Sequence, residues 1–152
     1  MKKDILFVAV QFVLFALYVI NFNLIAHEIL LPGWLNIILI GMGFLGAVII
    51  SLGIIHLNDS LTPFPTPRKD ARLISSGIYK FIRHPIYTGI IITLISYGIY
   101  TTSIGRILIC VILCVVFYFK SELEEKLLVE RFTEYEQYKN ITGRFFPKGN
   151  RN

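Results

Sequence analysis

The residues able to do chemistry gather in the middle of the chain and are answered by a second group further on. The stretch from Leu73 to Gly89 reads LISSGIYKFIRHPIYTG and sets His84 among Lys80, Arg83, Tyr79 and Tyr87. The second group is Lys120, Glu122, Glu124 and Glu125. A histidine moves protons near neutral pH. A carboxylate pairs with an ammonium through charge-assisted hydrogen bonds, and an aromatic face attracts a cation. Pro85 lacks an N–H and fixes its own φ, which suits the first turn of a helix and not its interior. His84 therefore stands just ahead of a helix, on backbone that cannot simply continue from upstream. The residues after it, 86–100, carry no charge and can enter a membrane. A polar, aromatic, basic corner at a membrane surface is where the function is placed.

The composition sets the class. In 152 residues, 55% are hydrophobic and only 16% charged, too apolar for an ordinary soluble domain. The reading is one all-α integral membrane domain. The net charge of +5 comes from basic residues that flank apolar runs rather than forming a stripe. That pattern fits anchoring to anionic lipid and argues against nucleic acid. Cys110 and Cys114 lie inside an apolar run with no further ligands at metal spacing, so they read as small apolar residues and no metal is expected.

Four spans must position the corner: residues 5–26, 34–55, 86–100 and 104–119. The first is interrupted only by Gln11, Asn21 and Asn23 and reads as a retained span rather than a cleaved leader. The second holds Gly41-Met42-Gly43-Phe44-Leu45-Gly46, a literal GxGxxG, but lies in mid-span without the strand and acidic residue a dinucleotide site needs. Gly43 and Ala47 are expected instead to let a neighbouring helix approach. Residues 61–85 form a loop stiffened by Pro63, Pro65 and Pro67. Residues 120–147 begin as an amphipathic helix with Leu123, Leu127, Leu128, Phe132 and Tyr135 near helical spacing. His27 and His56 read as interfacial, and Arg106 as reaching for the far interface.

Basic residues set the orientation. Lys2 and Lys3, the loop with Arg68, Lys69, Arg72, Lys80 and Arg83, and the C-terminal helix all belong on the cytosolic side, as in a bacterial inner membrane or its equivalent. The sequons at Asn58 and Asn140 fall on that side and are discounted. Spans three and four form a hairpin that leaves at Pro85 and returns at Lys120. Arg83, His84 and the glutamates can thus share one cytosol-facing pocket.

The ordered motifs are specific. Residues 73–79, then Arg83-His84-Pro85-Ile86-Tyr87-Thr88-Gly89, then Glu124-Glu125, then Phe132, Tyr135, Tyr138 and Pro147 resemble the isoprenylcysteine carboxyl methyltransferase family and its phospholipid methyltransferase relatives. The resemblance covers roughly residues 61–147. It implies S-adenosylmethionine as methyl donor, with S-adenosylhomocysteine as product. It implies a lipophilic acceptor: a prenylated or otherwise lipid-like carboxylate, thiol or amine, with nothing in the sequence choosing among them. The cofactor contacts it implies are Arg72, Leu73, Ile74, Tyr79, His84, Pro85, Tyr87 and Glu124, capped by residues 120–147. The catalytic group it implies is His84, Arg83 and Lys120. Lys120 stands where eukaryotic relatives carry an arginine near the substrate carboxylate; it keeps the charge and loses the bidentate fork. Ile78 stands where many relatives have proline.

The donor carries a sulfonium and an ammonium but no phosphate, so it needs a carboxylate and aromatic faces, not a glycine-rich phosphate loop. Glu124 is assigned to the ammonium, and Tyr79 or Tyr87 to the adenine or sulfonium. A carboxylate acceptor needs no base; an amine or thiol must lose a proton, for which His84 is available, although cofactor positioning is its first assignment. Arg144 stays open between the site and lipid phosphate. Two rivals remain: an NADPH-dependent membrane reductase of sterol-reductase type, and a non-catalytic membrane scaffold. Cofactor binding separates all three.

Overall fold

The computed structural model describes residues 2–20, 30–67 and 72–149. Its elements are helices α1 (Lys2–Val19), α2 (Gly33–Leu57), α3 (Pro85–Tyr100), α4 (Ile104–Arg131) and α5 (Tyr135–Ile141). Single 3₁₀ turns occupy Asn58–Ser60 and Gly77–Lys80. No strand occurs among the described residues, and the fold is all-helical. The far end of the first expected span (Asn21 and Asn23 included), together with His27, Arg68 and Lys69, lies outside the described residues.

Helices α2 and α4 are long and apolar enough to cross a membrane, while α1 and α3 are shorter apolar helices. Trp34, Ile37, Ile40, Phe44 and Ile55 on α2 are exposed, a surface suited to an apolar medium. The 16 residues of α3 rise about 24 Å, less than the roughly 30 Å of a bilayer core.

Local chemistry sets the boundaries. Pro32 precedes α2, and Asn58 ends it with φ +41°. Pro85 occupies the first turn of α3, with His84 as its N-cap at φ −124°. Thr102, at φ +48°, turns the chain between α3 and α4, and the Ser103 hydroxyl accepts from the Arg106 N–H to cap α4. Arg106 does not reach outward alone: its guanidinium donates to Thr101 Oγ1 at 2.9 Å and lies over the Tyr97 ring. Helix α4 runs through Lys120 to Arg131 without interruption, so the amphipathic segment projects directly from the fourth apolar run. The amphipathic segment 120–147 is divided at Phe132, whose extended backbone (φ −121°, ψ 113°) separates α4 from α5.

Helices α2 and α3 pack closely through glycine, but not at the expected positions. A Cβ on Gly46 would collide with Thr93 and the Gly89 carbonyl, and one on Gly89 would strike the Gly46 carbonyl and Ile50. Gly53 meets Ile86 in the same way. Ala47 is exposed, and a Cβ on Gly43 would make only ordinary contact with Ser96. The near approach thus falls on Gly46, one residue before the one expected, because that face of α2 turns toward α3. Leu14 of α1 joins Leu113 and Phe117 of α4 in a core flanked by Tyr87, Ile90 and Leu94 of α3.

Candidate active site

The site is held by a strap. Residues 81–84 pair in parallel with residues 143–144: Gly143 N–H donates to the Phe81 carbonyl (3.3 Å), Arg83 N–H to Gly143 (2.9 Å) and His84 N–H to Arg144 (3.1 Å). The Thr88 hydroxyl then donates to the Phe145 carbonyl at 2.9 Å. Gly143 is required here, since a Cβ would run into the Phe146 carbonyl.

Beneath the strap lies a buried ion network centred on Glu125. Its Oε1 accepts from Arg83 Nε (2.9 Å), His84 Nε2 (3.1 Å) and Arg144 Nε (3.1 Å), and its Oε2 accepts from Arg144 Nη2 (2.9 Å). Glu125 lies beyond the apolar part of α4, which ends at Phe119. Burial alone would raise its carboxyl pKa, but hydrogen bonds from His84, Arg144 and Arg83 outweigh it and hold the group well below the usual carboxylate range. Arg83 Nη1 also donates to the carbonyls of Lys139 (3.1 Å) and Thr142, fixing the end of α5. Tyr138 of α5 donates from its hydroxyl to the Tyr79 carbonyl (2.6 Å), and the Tyr79 hydroxyl donates to Gly53 of α2 (3.3 Å). Burial pushes Tyr138 up to about 12 and Tyr79 higher still, so both stay protonated donors.

On the other side of His84 is a cavity of about 330 Å³, within the range of small-molecule sites. All eight expected cofactor contacts line it: Arg72, Leu73, Ile74, Tyr79, His84, Pro85, Tyr87 and Glu124. Arg83 and Lys120 line it as well. The glutamate pair divides sharply. Glu124 faces the cavity with its side chain 27% exposed, accepting among the described residues only from the Tyr87 hydroxyl at 3.0 Å, with His84 Nδ1 3.7 Å from the same oxygen. Glu125 faces away into the network.

Further walls come from residues not assigned individually from the sequence. Gln11 of α1 reaches the cavity and accepts from Lys120 Nζ at 2.6 Å; its only signal was a lone polar residue early in an apolar run. Pro63, Pro65 and Pro67 form one side, and Leu128, Tyr135 and Tyr138 another. Arg144, left open between the site and lipid phosphate, pairs with Glu125 of the network. Tyr87 does not offer an open ring face. Its ring is stacked with His84 (centroids 5.4 Å, 2° apart) and with Phe117 (4.6 Å, 9°), so it acts through its hydroxyl on Glu124. Lys120 is buried to 1% exposure, its ammonium 5.3 Å from the Tyr87 ring centre.

With this geometry in place, the comparisons with known proteins bear on it directly. Residues 34–135, more than half of the chain and including the RHPIYTG motif and both glutamates, match the phospholipid methyltransferase family. The chain belongs to that family. It is 28% identical over 116 residues to a nickel-cobalt-cadmium resistance protein of Alcaligenes xylosoxydans xylosoxydans, covering 76% of this chain and 53% of the relative. It is 27% identical over 116 residues to a cobalt-zinc-cadmium resistance protein of Cupriavidus metallidurans, covering 76% and 52%. Over 71 residues it is 34% identical to methanethiol S-methyltransferase 1 of Bradyrhizobium diazoefficiens, covering 46% of this chain and 24% of that enzyme. The chain thus spans about half the length of the two resistance proteins.

Proposed function

We propose that this protein is an integral membrane methyltransferase that moves a methyl group from S-adenosylmethionine to a lipophilic acceptor. One observation carries the reading: the residues that the family resemblance assigns to the donor, from the 72–79 segment, His84, α3 and α4, all line one cavity. The chemistry of that lining suits the donor. Glu124 has a carboxylate at the cavity wall with a single hydroxyl donor, leaving acceptor capacity for an ammonium. Tyr79 and the 72–74 segment offer an aromatic edge and apolar walls for an adenosyl group, and Arg72 a cation for a carboxylate. When bound, the donor supplies an activated methyl carried on a sulfonium. The residues of this chain hold and align it, and alignment of acceptor with methyl supplies much of the acceleration in such a displacement. Membership in the phospholipid methyltransferase family and the partial likeness to a methanethiol S-methyltransferase support methyl transfer over nicotinamide reduction.

The topology that goes with this reading has four crossings, with both termini and the cavity on the cytosolic side. Calorimetric titration of the detergent-purified protein with S-adenosylhomocysteine, with NADPH as control, tests the function. Binding of the homocysteine alone supports it. Binding of NADPH alone favours the reductase, and silence from both in folded protein favours a scaffold.

A further inference from the structure

The hydrogen bonds of Glu125 determine which nitrogen of His84 carries its proton. An ionised carboxylate only accepts, so the His84 Nε2 that lies 3.1 Å from Glu125 Oε1 must be the N–H. In a neutral imidazole the other nitrogen then presents a lone pair. That nitrogen, Nδ1, points to the side of Glu124, and His84 lines the cavity. The ring is only 6% exposed, its backbone N–H is tied to the strap, and its face is stacked on Tyr87. A base held in one tautomer and one orientation by a buried carboxylate is the arrangement that activates a nucleophile.

Lys120 supplies a second, independent observation. Its buried ammonium lines the same cavity with a neutral partner, Gln11, and with no carboxylate within 4 Å among the described residues. A buried cation whose direct partner is neutral, with Glu124 acting only from beyond contact distance, favours an anion beside it. A carboxylate acceptor would satisfy Lys120 but arrives already ionised and leaves His84 unused. An amine needs the base but arrives as a second cation and attacks as a neutral group. A thiol uses both, arriving neutral, losing its proton and attacking as an anion.

We propose, building on the methyltransferase reading, that His84 is the general base of the transfer and that the acceptor is a lipophilic thiol whose sulfur is drawn to Lys120. The acceptor S–H bond breaks and its proton passes to His84 Nδ1. A new sulfur–methyl bond forms while the donor's methyl–sulfonium bond breaks, its electron pair staying on the donor sulfur. His84 gains a positive charge as the sulfonium loses one, and Glu125 faces the new imidazolium. The charged and titratable groups around His84 are Arg83, Tyr87, Glu124, Glu125 and Arg144.

The test supplies the full chain with S-adenosylmethionine and one of three acceptors: an N-acylated cysteine alkyl ester, a fatty carboxylate or a long-chain primary amine. Methylated product is read by mass spectrometry and S-adenosylhomocysteine affinity by calorimetry. Wild-type protein is expected to methylate the thiol in preference. His84→Gln, assayed at saturating S-adenosylmethionine, is expected to lower that rate about 10²–10⁴-fold at pH 7, well beyond its loss of homocysteine affinity. The deficit should shrink as pH rises past the thiol's own ionisation at about 8.5. A deficit constant across pH, or one no larger than the loss of homocysteine affinity, would overturn the base assignment. Preference for the carboxylate or the amine with homocysteine binding intact would overturn the thiol and leave the methyltransferase reading standing. Absence of homocysteine binding in wild type would instead sink that reading. If His84→Gln does not fold, the wild-type acceptor preference decides alone.

Discussion

Glu124 and Glu125 are neighbours in sequence and opposites in structure. Glu125 is 2% exposed and receives two guanidiniums and an imidazole; Glu124 receives one phenol hydroxyl and faces a cavity. The difference comes from helical geometry alone, since adjacent residues point about 100° apart around α4. One carboxylate is spent holding the protein together, and the other is left able to bind. Paired acidic residues are therefore not redundant copies of one function.

The contrast can be broken on the structural side first. Glu125→Ala leaves Arg83 and Arg144 without their shared counter-ion, and loss of one partner from such a buried pair costs about 3–5 kcal/mol. A large drop in thermal midpoint in detergent is expected, and unchanged stability would show the network to be dispensable. On the binding side, Glu124→Gln should weaken S-adenosylhomocysteine binding by about 1.5–3 kcal/mol, the range for a hydrogen bond to a charged group. Its thermal midpoint should stay near wild type, and equal damage to both properties would erase the distinction. Tyr87→Phe removes only the hydroxyl donated to Glu124, so affinity should fall by about 0.5–1.5 kcal/mol by calorimetry.

A pH scan sharpens the comparison further. The Glu125 carboxyl is depressed in the folded protein. Its stabilisation is therefore fully present above the unfolded value of about 4.3 and is lost as pH falls toward the folded one. Wild-type stability should decline on acidification below about pH 4, and Glu125→Gln should flatten that decline. An identical acid limb in the variant would assign it to other groups.

Much of this was legible in the chain. Pro85 marks the start of α3 through backbone chemistry, and the hairpin it opens returns at Lys120 near where the charged part of α4 begins. The contents of the cavity wall from 72 to 87 followed from motif order. What was not legible depends on rotation and on distance along the chain. Glu124 was assigned to the cavity over Glu125 from the resemblance, and the physical reason, the phase of a continuous α4, is visible only in the folded helix. The choice of Gly46 over Ala47 is the same kind of question on α2. Arg144 could not be placed because its partner is reached only through a strap that has no local sequence signature. Gln11 was visible as an oddity, but its partner Lys120 lies 109 positions away.

The strap also sets an order of events. The bonds that seat Arg83 join it to Thr142, 59 positions later, whereas the α2–α3 and α3–α4 packing joins helices that follow one another in the chain. The helices can therefore associate as they are made, and His84 acquires its strap partners, the Arg144 carbonyl and Phe145, only after residues 143–146 have left the ribosome. Chain order thus leaves the site unfinished until the strap arrives, when the scaffold around it is already built.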